Sequence, residues 1–213
     1  MKSLILIRHP ATALAGTFCG HSDPDLSPVG KSQLTQLRRR LQGVRLDRIL
    51  SSDLLRAQRC ANELAHQHSV PVELRPGLRE IAFGAWEGLN WSQIEAHYPA
   101  EAIDWLEGFP TVTPPQGEDY THFAGRIRRE AAGWSSLFTP NPLAVVTHRG
   151  VLQFILQVYG GIEAARAWEM TSQPATALFC DWVDGAECTL RIHEQWFAHA
   201  GEIPPTPATQ QIR

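Results

Sequence analysis

The stretch Leu4-Ile5-Leu6-Ile7-Arg8-His9-Pro10 joins four consecutive large aliphatic residues to an arginine and a histidine. An uninterrupted aliphatic run is typical of a strand that is buried on both faces, as in a parallel sheet. Such a strand would deliver Arg8 and His9 to the carboxyl edge of the sheet, where open α/β sheets bind their ligands. A buried strand that ends in two solvated polar residues is the alternative. The remainder of the chain favours a site.

The composition is that of an ordinary globular protein. Of the 213 residues, 43% are hydrophobic and 19% are charged, and the formal net charge is −3. No global positive field would attract nucleic acid or anionic lipid, so we expect neither as a partner. The N-terminal apolar run is too short for a signal peptide, and no stretch approaches the length of a membrane span. We therefore expect a cytoplasmic protein.

Local charge and cysteine patterns indicate no further site. The groups Arg38–Arg40 and Arg126, Arg128 and Arg129 fall in helix-like segments, and we expect solvated helix faces there. No Cys-x-x-Cys pair occurs among the scattered cysteines, so we expect free thiols rather than a metal ribbon or a disulfide framework. The cysteines are Cys19, Cys60, Cys180 and Cys188.

Strand and helix signals alternate along the chain. Strands are predicted at 4–7, 46–51, 71–74, 143–146, 177–183 and 188–196, the last two as a hairpin turning at 184–185. Helices are predicted at 28–42, 54–68, 90–108 with a break at Pro99, 119–138 and 151–159. This order predicts one α/β domain over residues 1–200, with a mostly parallel sheet and an antiparallel edge. Residues 201–213 contain three prolines and are predicted to be a mobile tail.

Local signals also predict caps and packing. Ser27 and Asp53 are expected to cap the first two helices. Ile103 and Leu106 are expected to anchor the helical region 90–108 to the core. Trp134 is assigned to the core. Three other tryptophans, either core residues or walls of a substrate pocket, are Trp86, Trp91 and Trp105.

Side chains that can bind a phosphate or take part in catalysis follow four of the predicted strands. Arg8 and His9 follow the first, Arg56 the second, Glu80 the third and His148 the fourth. If these strands are parallel, the five side chains meet at one edge of the sheet. Guanidinium groups bind phosphate oxygens in bidentate fashion, an imidazole can act as a nucleophile, and a carboxyl group can protonate a leaving alcohol. The set therefore predicts a site for a phosphoryl group.

The ordered motifs resemble those of the histidine phosphatase superfamily, which includes the cofactor-dependent phosphoglycerate mutases. They are Arg8-His9, the run from Ser51 to Ala57, Leu78-Arg79-Glu80 with Gly-x-Trp-Glu-Gly after it, and Thr147-His148. The resemblance covers roughly residues 1–200 and implies a three-layer α/β/α sandwich of the phosphoglycerate mutase type. It implies that His9 is the phosphorylated nucleophile, that Glu80 is the general acid and base, and that Arg8, Arg56 and His148 bind the phosphoryl group. It implies no metal or other cofactor. We expect His148 to be protonated when it holds the transferring group.

Several residues depart from the family pattern. Pro10 and Ala11 replace Gly and Glu, and Ala15 replaces a frequent Asn. Pro10 removes a backbone donor from the pocket. Arg149 replaces a usual Gly. It could contact the substrate, but we expect it to lie in solvent at the start of a helix. Thr12 is expected either to contact phosphate or to cap a turn.

The Arg-His-Pro variant, the Gly16–Gly20 loop and the Phe83–Gly88 stretch resemble the α-ribazole phosphatase branch, whose substrate is a nucleotide-loop precursor of cobalamin. We therefore expect a metal-independent phosphomonoesterase that acts on a small phosphorylated metabolite, with α-ribazole phosphate as a candidate. The alternatives are phosphoryl transfer of the mutase type and a non-catalytic module that binds a phosphorylated ligand. A homodimer is left open.

Two other site patterns are weaker. Asp23-Pro24-Asp25-Leu26-Ser27 resembles the motif of magnesium-dependent haloacid dehalogenase phosphatases, but no apolar strand precedes it, so a capped loop is expected. His66 and His68 are two residues apart in a predicted helix, which places their rings on different faces, so a solvated helix end is expected there.

Overall fold

The computed structural model describes residues 2–108, 110–184 and 188–198, and six strands of these residues form one sheet. The strands are β1 (Lys2–Arg8), β2 (Ile49–Ser51), β3 (Val72–Leu74), β4 (Leu143–Thr147), β5 (Ala177–Val183) and β6 (Thr189–Trp196). Their order across the sheet is β3-β2-β4-β1-β5-β6. The β1–β4, β2–β4 and β2–β3 pairs are parallel, whereas β5 is antiparallel to both β1 and β6. The predicted mostly parallel sheet with an antiparallel edge is confirmed.

Helices cover both faces of the sheet. They are α1 (Pro28–Leu41), α2 (Leu55–His68), α3 (Trp91–His97), α4 (Pro99–Gly108), α5 (Tyr120–Trp134), α6 (Arg149–Val158) and α7 (Ala164–Met170), with short 3₁₀ turns at Pro76–Leu78 and Gly84–Trp86. The sequence analysis did not predict α7, which has only seven residues.

The central strand β1 explains the three layers. Leu4 and Leu6 pack into one core with α5, α6 and α7, whereas Ile5 and Ile7 pack into a second core with α1 and α2. Successive side chains of a strand point to opposite faces, so a run of four aliphatic residues supplies both cores at once. The expected three-layer α/β/α sandwich is confirmed.

One of the two predicted helix caps is wrong. The Ser27 hydroxyl accepts a hydrogen bond from the Gly30 amide at 3.1 Å, as expected for an N-cap. Asp53 does not cap α2, because both of its carboxylate oxygens accept hydrogen bonds from Arg79, at 2.7 and 2.6 Å. Instead Asp23, from a distant loop, accepts from the first amide of α2, that of Leu55, at 2.6 Å.

A third core fills the space beside the sheet. Trp86, Trp91 and Trp105 are buried in it together with Ile94, and the ring of Phe18 contacts all three indoles. These tryptophans are therefore core residues rather than open pocket walls. Trp134 is also buried, as predicted.

The helix α4 does not pack as the sequence analysis expected. Ala102 and Trp105 face the third core, while Ile103 is 57% exposed and Leu106 is 41% exposed. Both were expected to be anchors, and this expectation is wrong because the buried stripe of α4 is narrow and ends at Trp105. In the region 90–108, the break at Pro99 is confirmed.

Some predictions concern residues that the structure does not describe. The β5–β6 antiparallel pair is confirmed, but residue 185 of its turn and the tail 201–213 lie outside the described residues. The four cysteines are free in the structure. Across the described ranges, no helix is long and apolar enough to cross a membrane.

Candidate active site

The carboxyl ends of the strands bring the predicted side chains together. His9 follows β1 and His148 follows β4, and their ring centroids are 5.0 Å apart. Arg56, in the first turn of α2, has its Nε 3.3 Å from His9 Nε2. Glu80 lies beyond β3, where its Oε2 accepts from the Gly150 amide at 3.0 Å. The parallel order of β1, β2, β3 and β4 is the reason that segments so distant in sequence meet here.

The hydrogen bonds of His9 fix its tautomer. Its Nδ1 is 2.7 Å from the Pro10 carbonyl oxygen, which can only accept, so Nδ1 carries the proton. Nε2 then holds the lone pair and accepts from Arg56. Burial, followed by the positive charges of Arg56 and Arg8, lowers the pKa of His9 well below 6.5. A neutral imidazole with Nε2 unprotonated is the nucleophilic form.

Arg56 ties the loop after β1 to the site. It is 1% exposed, and its guanidinium donates to the carbonyl oxygens of Ser22 at 2.7 Å, Gly20 at 2.7 Å and Cys19 at 3.3 Å. These bonds leave the cation without a carboxylate partner among the described residues. The positive charge therefore remains available to an anion at His9.

Glu87 holds the same loop from the other side, a role that the sequence analysis missed. Its carboxylate accepts from the amides of Gly20, His21 and Ser22 and from that of Phe83, at 2.8 to 3.0 Å. Burial raises the pKa of Glu87, but these hydrogen bonds outweigh burial and leave the pKa below its usual value. The Gly-x-Trp-Glu-Gly motif thus provides a buried indole and a carboxylate that orders the loop.

Close backbone approach explains the glycine at position 20. A Cβ there would lie 2.1 Å from the carbonyl oxygen of Ile81, a separation that no side chain permits. The loop can therefore reach the segment after Glu80 only with glycine at this position.

His148 and Ser52 form a second polar pair that is fully buried. The Ser52 hydroxyl oxygen is 2.8 Å from His148 Nε2 and also accepts from the Leu54 amide at 3.3 Å. A serine hydroxyl has one proton and two lone pairs, so Ser52 can donate to Nε2 or accept from it, and when it donates the imidazole proton is on Nδ1. Nδ1 has no partner among the described residues, so it can donate to a phosphoryl oxygen. Ser52 is a positioning residue that the sequence analysis quoted only as part of a motif.

The His148 ring is neutral in the unliganded protein, whereas the expected protonated form concerns the complex with a phosphoryl group and stays a prediction. Burial, followed by the charges of Arg56, His9, Arg126 and Arg8, lowers its pKa well below 6.5. The ring is therefore neutral near pH 7, and it acts as a hydrogen-bond donor without carrying a charge.

Arg126 holds the segment that carries Glu80. Its Nη groups donate to the carbonyl oxygens of Gly77, Arg79 and Glu80 at 2.9, 2.6 and 2.8 Å. Its Nε and Nη2 also donate to the two oxygens of Glu118, each at 2.8 Å. All five N–H donors of a guanidinium are used, so the expected solvated face is wrong for Arg126. The Arg38–Arg40 run does lie at the surface, as expected.

Arg8 and Thr12 complete the predicted set. Nη1 of Arg8 donates to the carbonyl oxygens of Thr171 at 2.8 Å and Ser172 at 2.6 Å. Burial, partly offset by Glu80, lowers the pKa of Arg8 to about 10, so the group remains charged near neutral pH. The Thr12 hydroxyl accepts from the Leu14 amide at 3.3 Å, which is the turn-capping role.

Arg149 is not solvated, contrary to expectation. Its guanidinium carbon lies 3.4 Å from the ring centroid of Trp168 on α7, and its Nε is buried. Stacking on an indole explains why this arginine at the start of α6 does not extend into water.

The Asp23–Ser27 pattern has a structural role, and His66 and His68 lie at the end of α2, where His66 is exposed. Asp23 binds the start of α2, as described above, and Asp25 is 3.4 Å from Arg59 in an exposed ion pair. Among the residues that the structure describes, no group of three or more histidine, cysteine, aspartate or glutamate side chains is arranged to hold a metal ion.

Comparison with known proteins identifies the family. Residues 4–193 match the model of the histidine phosphatase superfamily, branch 1. The chain is 32% identical over 171 residues to the adenosylcobalamin/alpha-ribazole phosphatase of Escherichia coli K12. This alignment covers 78% of this chain and 82% of that protein. It is 30% identical over 161 residues to the glucosyl-3-phosphoglycerate phosphatase of Mycobacterium tuberculosis H37Rv, covering 71% of this chain and 72% of that protein.

A solved structure agrees with this match. The crystal structure of the alpha-ribazole phosphatase from Shigella flexneri superposes with a TM-score of 0.78 at 28% identity, covering 89% of this chain and 95% of that one. The family match spans the strands, the helices and the polar cluster at their carboxyl ends. The chain therefore belongs to the histidine phosphatase superfamily, branch 1.

Proposed function

We propose that this protein hydrolyses the phosphomonoester of a small metabolite through a phosphohistidine on Nε2 of His9. The observation that carries the proposal is the tautomer of His9, whose Nδ1 proton is held by the Pro10 carbonyl 2.7 Å away. A neutral imidazole with its lone pair on Nε2, facing Arg56, is prepared for attack on phosphorus. The family and the named phosphatases among its relatives support the same reaction class.

The first half-reaction transfers the phosphoryl group. Nε2 of His9 attacks phosphorus in line, the bond from phosphorus to the ester oxygen breaks, and Glu80 gives its proton to the leaving alcohol. The guanidinium groups of Arg8 and Arg56 and the Nδ1 proton of His148 bind the equatorial oxygens. Backbone carbonyls hold both guanidinium groups in place before the substrate arrives, and the Arg56 Nε–H bond must leave the Nε2 lone pair of His9 before attack.

The second half-reaction releases phosphate. Glu80, now a carboxylate, takes a proton from water as the water attacks the phosphohistidine, and the phosphorus–Nε2 bond breaks. Inorganic phosphate leaves, and His9 returns to its neutral form. In this scheme the arginines supply the positive charge for the transferred group.

The physiological substrate is a separate question. The names of the relatives include adenosylcobalamin/alpha-ribazole and glucosyl-3-phosphoglycerate phosphatases. We propose α-ribazole phosphate as one candidate and test it beside esters of other chemistry. A homodimer and a cytoplasmic location remain predictions from the sequence.

The test is phosphate release from p-nitrophenyl phosphate, α-ribazole phosphate and 3-phosphoglycerate in EDTA, with wild-type protein and His9→Ala. We expect metal-free turnover that is lost in the variant. Formation of 2-phosphoglycerate without phosphate release would indicate a mutase. Binding of the esters without turnover would indicate a non-catalytic module.

A further inference from the structure

Arg149 is a cation beside the phosphoryl site that the proposed reaction does not use. It directly follows His148, and the next residue, Gly150, donates its amide to Glu80. Among the described residues, no group accepts a hydrogen bond from its guanidinium and no carboxylate lies within ion-pair distance, and its Nε is buried without a partner. A partly buried cation without a counter-ion is unfavourable unless a ligand supplies one.

The contacts of Arg8 and Arg149 bring both side chains to the C-terminal half of α7 and the residues after it. Arg8 bonds the carbonyl oxygens of Thr171 and Ser172, just after α7, and Arg149 stacks on Trp168 in α7 itself. Burial, together with repulsion from Arg8, lowers the pKa of Arg149 to about 9, while the carboxylate of Glu80 acts in the opposite direction. The cation is therefore within electrostatic reach of both Arg8 and Glu80.

The charges of the proposed reaction leave one guanidinium without an anion. Glu80 must be protonated when the ester binds, because it is the general acid. Arg8, Arg56 and Arg149 then carry three positive charges, against the two negative charges of a phosphomonoester. The third positive charge can be balanced by one further acidic group on the substrate.

We propose that Arg149, backed by Trp168, forms a second anion subsite beside the phosphoryl pocket and binds a carboxylate on the leaving group of the substrate. The guanidinium carbon lies 3.4 Å from the Trp168 ring centroid, and no group among the described residues accepts a hydrogen bond from the guanidinium, which can bind a carboxylate in bidentate geometry. This inference rests on the proposed function and refines its substrate class. The leaving group of α-ribazole phosphate carries no carboxylate, so that ester would leave Arg149 unpaired.

The test compares esters that differ only by the acid. 3-Phosphoglycerate and glycerol 3-phosphate form one pair, and phosphoserine and phosphoethanolamine form another. We expect wild-type protein to have the higher kcat/KM for the carboxylate-bearing ester of each pair. Arg149→Gln lowers the ratio of the two kcat/KM values about 10- to 100-fold, mainly through KM, since it removes hydrogen bonds between two charged groups.

Arg166→Gln is the matched control. Arg166 lies on α7, two residues before Trp168, and its side chain is 63% exposed in a surface ion pair with Glu169. This variant should keep the wild-type ratio. Equal losses for both esters in Arg149→Gln would overturn the proposal by placing Arg149 on the transferred phosphoryl group. Absence of any carboxylate preference in wild-type protein would also overturn it.

A binding experiment separates this inference from the proposed function. Calorimetry with His9→Ala measures affinity for 3-phosphoglycerate and glycerol 3-phosphate without turnover. Tighter binding of 3-phosphoglycerate that depends on Arg149 supports the subsite even if no ester is hydrolysed. Turnover with equal affinity for both esters supports the phosphatase and overturns the subsite.

Discussion

Arg126 offers the sharpest test of how the fold positions the general acid. Its five N–H groups bind three carbonyl oxygens of the segment Gly77–Glu80 and both oxygens of Glu118. Arg126→Met keeps much of the aliphatic volume and removes all five bonds. The carbonyl of Glu80 and the carboxylate of Glu118 lose their common partner.

The expected loss of stability follows from the burial of the ion pair. The Arg126 and Glu118 side chains are only 14% and 17% exposed, so a carboxylate left unpaired there is largely desolvated. Breaking a buried pair costs about 3–5 kcal/mol, and partial exposure favours the lower value, so we expect the free energy of unfolding to fall by about 3 kcal/mol. The double variant Arg126→Met/Glu118→Met should regain part of this loss, because no charge is then left unpaired.

The expected effect on catalysis is on kcat rather than KM. Freed from Arg126, Glu80 shifts relative to His9, and a displacement of about 1 Å in a reacting group can cost about 100-fold in rate. Arg8 and Arg56 keep their own bonds, so the affinity for phosphate should change little. Phosphate inhibition measures that affinity independently.

The assay pairs urea denaturation with steady-state kinetics on p-nitrophenyl phosphate. Arg128→Met is the matched control, because Arg128 lies on the same helix, is exposed, and has its guanidinium carbon 5.1 Å from the ring centroid of Phe154. If Arg126→Met lost no more stability or kcat than Arg128→Met, the reasoning would be refuted. A double variant less stable than Arg126→Met would refute the role given to the unpaired carboxylate.

Three further predictions concern the same site. Gly150→Ala should lower kcat about 10-fold or more with little loss of stability, because its Cβ would lie 2.4 Å from Glu80 Oε1 and would displace that flexible carboxyl group; kinetics and urea denaturation together check this. Ser52→Ala should lower kcat about 10-fold while phosphate still binds, because His148 Nε2 loses the hydroxyl that orients the ring, and NMR of the ring nitrogens reports the change in tautomer. The free energy of unfolding should fall as pH drops below 6.5, because the pKa values of His9 and His148 are lowered on folding and the unfolded chain takes up protons first; urea denaturation between about pH 4 and 8 measures the slope.

The fold could be predicted because its signals are local. Leu4–Ile7 is aliphatic at every position, and Ser27-Pro28 is a direct helix start, so element types followed from periodicity and capping. Asp53 was wrong as a cap because Arg79, distant in sequence, competes for the same carboxylate. Ile103 and Leu106 were wrong because helical spacing does not reveal how wide the buried stripe is.

The sequence predicted the side chains that form the site but not the residues that hold their loops in place. His9, Arg56 and His148 each follow a strand, so parallel pairing brings them together. Arg126 and Glu87 act through hydrogen bonds to backbone groups of distant loops, and no local pattern in the sequence encodes such partners.

The protonation states of His9 and His148 could not be predicted from the sequence and depend on the structure. Sequence alone supplied an imidazole at each strand end, but the tautomer depends on which atom lies at hydrogen-bond distance. For His9 that atom is the Pro10 carbonyl oxygen, and for His148 it is the Ser52 hydroxyl. Burial, followed by the charges of the neighbouring arginines, lowers the pKa of both rings and keeps them neutral.

The central claim is that Nε2 of His9 carries the phosphoryl group during turnover. The most direct measurement is rapid quenching of the enzyme with a phosphomonoester in EDTA, followed by mass spectrometry of the modified peptide and ³¹P NMR of the phosphoenzyme. The account predicts an acid-labile phosphoryl group on His9 Nε2 that forms and decays at rates compatible with kcat. Turnover in His9→Ala, or a phosphoryl group on another residue, would contradict it.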